Sequence, residues 1–243
     1  MYGWRLRIGL LVPASNTTME SEFWRMAPEG VSVHVARMLL GKVNEEDLLK
    51  MEAHVELAAK ELATAGVDII AFGCTTGSLI KGKGYDQAIA EKITAVTGIP
   101  GVTTSTAVLE ALRALKIGRV AIVTPYIDEL NRREAEFIEA NGIRVTKIVG
   151  LGLLDNLEIG NQEYYVPYKM AKSLRLDDCD GLFISCTNFR SIEVIEILEK
   201  EMDKPVISSN QATFAAVLKR GGVHLDSVKG YGSLFMPKEI KKG

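Results

Sequence analysis

Three segments of this chain recur in the same order, and that internal repeat constrains the fold more than any other feature. Ile8-Gly9-Leu10-Leu11-Val12-Pro13 lines up with Val120-Ala121-Ile122-Val123-Thr124-Pro125. The stretch ending Ile70-Ala71-Phe72-Gly73-Cys74-Thr75 lines up with the one ending Leu182-Phe183-Ile184-Ser185-Cys186-Thr187. Pro13 and Pro125 lie 125 − 13 = 112 residues apart, and Cys74 and Cys186 lie 186 − 74 = 112 apart. Ile99-Pro100-Gly101-Val102 pairs with Lys204-Pro205-Val206-Ile207 at an offset of 105, as expected if one loop differs in length. Chance supplies any one of these matches; three in order, two with one offset, indicate duplicated lobes.

Within each copy, short apolar runs rich in Val and Ile alternate with amphipathic stretches. Strands are predicted over 7–12, 31–37, 67–72, 101–103, 120–124, 144–149, 181–185 and 206–208. Helices are predicted over 44–66, 86–97, 106–115, 128–141, 162–174, 191–202 and 211–220. The first of these has Asn44 as N-cap and the acids Glu45, Glu46 and Asp47 in its first turn, and it stops at Gly66. Such alternation gives the α/β class, with parallel sheets flanked by helices. The expected architecture is two pseudosymmetric flavodoxin-like lobes with the active site between them. Residues 1–104 plus 210–243 are assigned to the first lobe and 105–209 to the second.

Composition narrows the function classes. Of 243 residues, 47% are apolar and 25% charged, enough for one large core or two small ones. The formal net charge of −2 comes with Lys and Arg scattered among acids, so the basic stripe of a nucleic-acid binder is missing. No apolar run approaches a membrane span, and the N-terminus lacks the pattern of a signal peptide. A cytoplasmic protein acting on small molecules is expected, and the sequence leaves self-association into a homo-oligomer open. Three cysteines without a CxxC, and three histidines (His34, His54, His224) without metal-ligand spacing, argue against a disulfide scaffold and a zinc site.

Cys74 and Cys186 each fall at the C-terminal end of a predicted strand, just before a helix. In open parallel sheets the ligand crevice lies outside that edge. If the two lobes face each other there, the thiols line one cleft from opposite walls. The turns that follow, Thr75-Thr76-Gly77 and Thr187-Asn188, offer N–H groups and hydroxyls near helix starts, a setting that favours anions and thiolates. The plainer reading is two buried core cysteines; the paired position weighs against it. Cys179, between Asp178 and Asp180, has no such company and is read as structural.

At these residues the chain resembles the aspartate/glutamate racemase superfamily, whose members use two pseudosymmetric cysteines and no cofactor. The segment 9–20, with its Pro13-Ala14-Ser15-Asn16-Thr17-Thr18-Met19-Glu20 turn, resembles the maleate cis–trans isomerase branch, to which arylmalonate decarboxylases and ectoine-utilisation proteins are related. The resemblance spans Ile8 to about Gly221. It implies two catalytic cysteines, here Cys74 and Cys186, with Asn16, Tyr126 and Asn156 holding the substrate carboxylates. All five positions carry the matching residue type. An arylmalonate decarboxylase is expected to have Gly where Cys74 stands. Glutamate racemases show D-S-G and C-T-H where this chain has Ala14-Ser15-Asn16 and Cys186-Thr187-Asn188, and no acid precedes Glu20 in the first turn to hold an ammonium group.

The implied chemistry is cofactor-free conversion of maleate to fumarate. Cys74 as thiolate adds to the alkene, the resulting single bond rotates, and Cys186 as thiol shields or protonates the opposite carbon. Ser15, Asn16, Thr75, Thr76, Thr187 and Asn188 are expected to donate hydrogen bonds to the developing charge. A free thiol titrates near ~8.5, so Cys74 has to be lowered. With no His or Lys in its motif, helix-start dipoles and hydrogen bonds are expected to do it. The segment 37–44 is a candidate lid hinged at Gly41. Lys81-Gly82-Lys83-Gly84 is read as a surface turn, and 238–243 as a frayed basic end. The rival readings are a racemase, decarboxylase or ectoine-catabolic enzyme of the same two-cysteine fold acting on another small carboxylate, and a non-catalytic carboxylate-binding protein.

Overall fold

The computed structural model describes residues 2–236, and the basic tail read at 238–243 lies outside them. One parallel sheet contains β1 (Leu6–Pro13), β2 (Val31–Met38), β3 (Ile69–Phe72) and β4 (Gly101–Thr103), in the order β2-β1-β3-β4. A second contains β5 (Arg119–Thr124), β6 (Arg144–Gly150), β7 (Gly181–Ile184) and β8 (Val206–Ser208), in the order β6-β5-β7-β8. The repeat seen in the sequence is a repeat of hydrogen-bond register. Ile8 pairs with Ile69 and Val120 with Gly181, and both residues of the first pair move by 112 to give the second. The central strands are buried on both faces, as a sheet covered by helices on each side requires.

The first sheet is flanked by α1 (Met19–Met26), α2 (Glu45–Glu52), α3 (Val55–Thr64), α4 (Thr75–Leu79) and α5 (Tyr85–Thr97), and α6 (Thr104–Ala114) leads out of it. The second is accompanied by α7 (Asp128–Ala140), α8 (Asn156–Gly160), α9 (Tyr165–Ser173) and α10 (Ile195–Met202), and α11 (Ser209–Arg220) leads out of β8. The exit helices α6 and α11 pack on each other and join the lobes. No helix among the described residues is long and apolar enough to cross a membrane.

Several helices differ from the sequence pattern for local reasons. The stretch 44–66 divides at Ala53 and His54, although Asn44 does accept the Asp47 N–H at 2.9 Å as its N-cap. The break lets α2 pack on α4 while α3 covers β1, β2 and α5. The expected helix at 191–202 starts only at Ile195, because the Ser191 and Ile192 N–H groups are held by the Glu22 carboxylate. The pattern over 162–174 resolves into α9, with α8 ahead of it capped by Asp155. Helix α1 was not anticipated, yet Met19, Phe23 and Met26 recur at helical spacing and are buried. Lys81 pairs with Glu52 at 2.7 Å, in keeping with a surface turn.

Candidate active site

The loops after β1, β3, β5 and β7 converge on one small cavity between the sheets. It is lined by Pro13, Asn16, Leu40, Val43, Cys74, Thr75, Thr76, Tyr126, Asn156, Cys186 and Thr187. No lining side chain carries a full charge. The two thiols share the cavity, one from each lobe.

Each thiol is set by a different backbone device. Cys74 is the N-cap of α4, and its Sγ accepts the Gly77 N–H at 3.3 Å with the Thr76 hydroxyl 3.9 Å away. A Cβ at Gly77 would stand 2.9 Å from the Cys74 sulfur and 2.8 Å from the Met51 methyl, so any larger residue there would displace them. Cys186 has φ +98°, a region that non-glycine residues occupy under strain. Its N–H donates to Ser209 Oγ at 3.0 Å, and its sulfur accepts the Asn188 N–H at 3.4 Å. The Tyr126 hydroxyl faces the same sulfur and favours its ionised form.

The expected lowering of the Cys74 pKa does not occur. Burial pushes Cys74 up to about 11, outweighing the opposing pull of the Gly77 N–H and the Thr76 hydroxyl. Burial pushes Cys186 up to about 12, against its hydrogen bonds from Tyr126 and Asn188 and with the neighbouring Cys74 and Glu134 adding to the rise. Two hydrogen bonds to a buried sulfur are too few to replace its hydration. Both cysteines are therefore thiols at neutral pH.

Hydrogen bonding sorts the remaining candidates. Asn16 Oδ1 accepts the Thr18 and Met19 N–H groups at 3.0 and 2.9 Å, so its amide nitrogen is the end left for the cavity side, where it also donates to Thr187 Oγ1 at 3.1 Å. The Thr187 hydroxyl donates to the Gly73 carbonyl at 3.2 Å, and the Thr75 hydroxyl donates to Ser209 Oγ at 2.9 Å. Those hydroxyl protons brace the lobes against each other and are not turned to a ligand. Ser15 and Asn188 are not among the residues that line the cavity. Ser15 Oγ accepts from Asn156 Nδ2 at 2.8 Å, while Asn188 accepts the Thr17 N–H at 2.8 Å and donates to the Asn156 carbonyl at 2.6 Å. Their polar atoms orient Asn156 and the first turn. Ser209 was missed, although it touches both cysteine turns; the offset of 105 pairs it with Thr104 (209 − 105), at the start of the other exit helix. Cys179 is buried away from the cavity with its thiol on the Leu176 carbonyl.

The segment after β2 forms the remaining wall. Leu40 and Val43 line the cavity, the Val43 N–H donates to the Leu154 carbonyl at 2.9 Å, and Lys42 bridges to Asp155. Arg37 at its base donates to the carbonyls of Ala14 (3.2 Å) and Asn16 (2.8 Å) and pairs with Glu20 (2.7 Å).

A family model for arylmalonate decarboxylase matches residues 8–235, nearly the whole chain. The chain belongs to that family. Its similarity to the family's isomerases is equally extensive, as the Pro13–Glu20 turn suggested. It is 30% identical over 227 residues to the maleate isomerase of Geobacillus stearothermophilus, covering 88% of this chain and 90% of that protein. A cysteine-to-alanine variant of the maleate isomerase of Pseudomonas putida S16, solved with maleate, superposes with a TM-score of 0.92 at 31% identity, covering 96% of this chain and 98% of the other. A cysteine-to-serine variant of the Nocardia farcinica maleate cis-trans isomerase, solved with a covalently bound succinylcysteine intermediate, gives a TM-score of 0.89 at 31% identity, with 95% and 98% covered. Family membership and fold therefore agree with the expectation from sequence.

Proposed function

We propose that this protein isomerises maleate to fumarate without a cofactor, through a covalent adduct on Cys74. The observation that carries this reading is two thiols from pseudosymmetric strand ends lining one small, uncharged cavity. The isomerase relatives, one of them with succinylcysteine, support the same chemistry. A double bond does not rotate; adding sulfur to one carbon makes it a single bond that does.

Since both cysteines start as thiols, the proton count closes within the pair. Cys74 sulfur bonds to one alkene carbon, and the π electrons take the Cys186 proton onto the other. The proton leaving Cys74 replaces the one that Cys186 gave up. After rotation Cys186 passes its proton to the departing Cys74 sulfur as it takes one from the carbon it protonated, and the double bond reforms. The Asn16 and Asn156 amides and the Tyr126 hydroxyl hold the carboxylates, with Thr76 and the free N–H groups of the α4 first turn available to the developing charge. Segment 37–44 acts as the lid that keeps water from the adduct. Residues 1–104 with 210–243 form the first lobe and 105–209 the second. A cytoplasmic location is part of this reading, supported by the reaction's need for reduced thiols.

Decarboxylation, the activity in the family model's name, is disfavoured by Cys74, where the decarboxylases are expected to carry glycine. Incubation with maleate, with no metal or cofactor added, tests the reading by following fumarate in NMR spectra. Cys74→Ala and Cys186→Ala should each lose turnover by at least about 10³-fold while keeping a native circular-dichroism spectrum. Wild-type turnover by Cys74→Ala would remove Cys74 from the reaction; binding of a dicarboxylate with no product would make the protein a sensor.

A further inference from the structure

Glu22 on α1 and Glu134 on α7 are both buried carboxylates. They are copies of one another, since 134 − 22 = 112, the offset that relates the two cysteines. The copies have diverged in their bonding. Glu22 accepts the Ser191 N–H at 2.9 Å, the Ile192 N–H at 3.3 Å and Asn210 Nδ2 at 2.6 Å. Glu134 has one partner, the Ser185 hydroxyl at 2.6 Å, and its second oxygen has none. Both carboxylates act on the loop that carries Cys186: Glu134 on the residue before it, Glu22 on residues after it. Around Cys74 the corresponding supports are neutral, the Ser78 and Ser105 hydroxyls bonded to the Cys74 and Thr75 carbonyls.

We propose that Glu134 is a positioning residue that acts through Ser185 and its own charge to keep Cys186 the proton-bearing member of the pair. The proposal rests on the two-thiol reading above and deepens it. A buried carboxylate bonded to the residue before one of the cysteines disfavours a second negative charge on that sulfur and leaves the other sulfur the easier one to use as nucleophile. The titratable groups that face Glu134 are Cys186 and Tyr126, both made harder to ionise by it. The elements packed on α7 add none that compensate: α4 has no ionisable side chain, and the Arg144 and Lys147 side chains of β6 are exposed. Glu134 itself is pushed up to about 7 by burial, against the Ser185 hydrogen bond, so its charge changes within the physiological range. Cys74 has no carboxylate among the causes that shift it.

The test is the rate of alkylation of each cysteine by iodoacetamide, read by peptide mass spectrometry at about pH 9, in wild type and Glu134→Gln. Below a thiol's pKa its alkylation rate rises about tenfold for each unit by which that pKa falls. Alkylation of Cys186 should accelerate by about three- to tenfold in Glu134→Gln, with Cys74 unchanged, and the alkaline limb of kcat for maleate should move to lower pH. If Glu134→Gln does not fold, Glu134→Met, which removes the unpaired oxygen altogether, serves for the same measurement. An unchanged Cys186 rate, or equal acceleration of both cysteines, overturns the proposal. The alkylation arm needs no substrate, so it stands apart from whether the wild-type enzyme turns over maleate.

Discussion

Cys74 and Cys186 occupy matching strand ends, yet the chain presents them differently. Cys74 is extended and caps a helix, whereas Cys186 sits at φ +98° with its N–H tied to Ser209. Holding a side chain there costs about 1–2 kcal/mol, which a glycine avoids. Cys186→Gly should therefore be more stable than Cys186→Ala by about 1 kcal/mol in urea denaturation, with both inactive. A more stable Ala variant would mean that the strain is absent. The cysteines, Asn16, Tyr126 and Asn156 were legible in the sequence, because the repeat and the resemblance pointed to them. The commitments of single hydrogen atoms were not. That Thr75 and Thr187 brace the lobes, and that Ser15 and Asn188 serve Asn156, depends on contacts across 32 to 141 residues of chain. Cys74 was expected to be acidified because its motif was weighed without the burial that surrounds it.

At the scale of elements, the strands and their duplication were legible in the repeat, while helix boundaries followed from tertiary contacts. The division of 44–66 and the late start of α10 are set by packing on α4 and by Glu22, neither visible in local periodicity. The segment from β2 to α2 joins the lobes through the Val43–Leu154 hydrogen bond, the Lys42–Asp155 bridge and the Arg133–Glu45 pair at 2.9 Å. Val43→Pro removes that N–H and disturbs the wall while leaving both cysteines in place. It should lower kcat/KM for maleate by at least about tenfold, equivalent to about 1.4 kcal/mol, with little change in melting temperature. Unchanged kinetics would show that closure by this segment contributes nothing.

For the whole molecule, the buried carboxylates Glu22 and Glu134 set a pH dependence of stability. Glu22 and Glu134 are raised by burial from 4.5 to about 7, so between those values the folded state binds more protons than the unfolded one. Their contribution is complete below the unfolded value and is lost as pH rises through about 7. Melting temperature should fall between about pH 5 and pH 7.5, and Glu134→Gln should flatten the fall. A rise over that interval would contradict the burial of these groups as carboxylates. The lowered carboxyls of Glu193 and Asp180, held by Arg25, Arg190 and Arg119, lose their contribution only at lower pH. The buried thiols act in the same sense as Glu22 and Glu134 but higher, weakening the fold as pH climbs towards about 11 and 12. The most direct measurement of the two-thiol chemistry is mapping of the covalent adduct after maleate is mixed with Cys186→Ser. A single added maleate mass on the Cys74 peptide, absent from Cys74→Ala, is the expected result. No adduct, or one carried by Cys179, would contradict it.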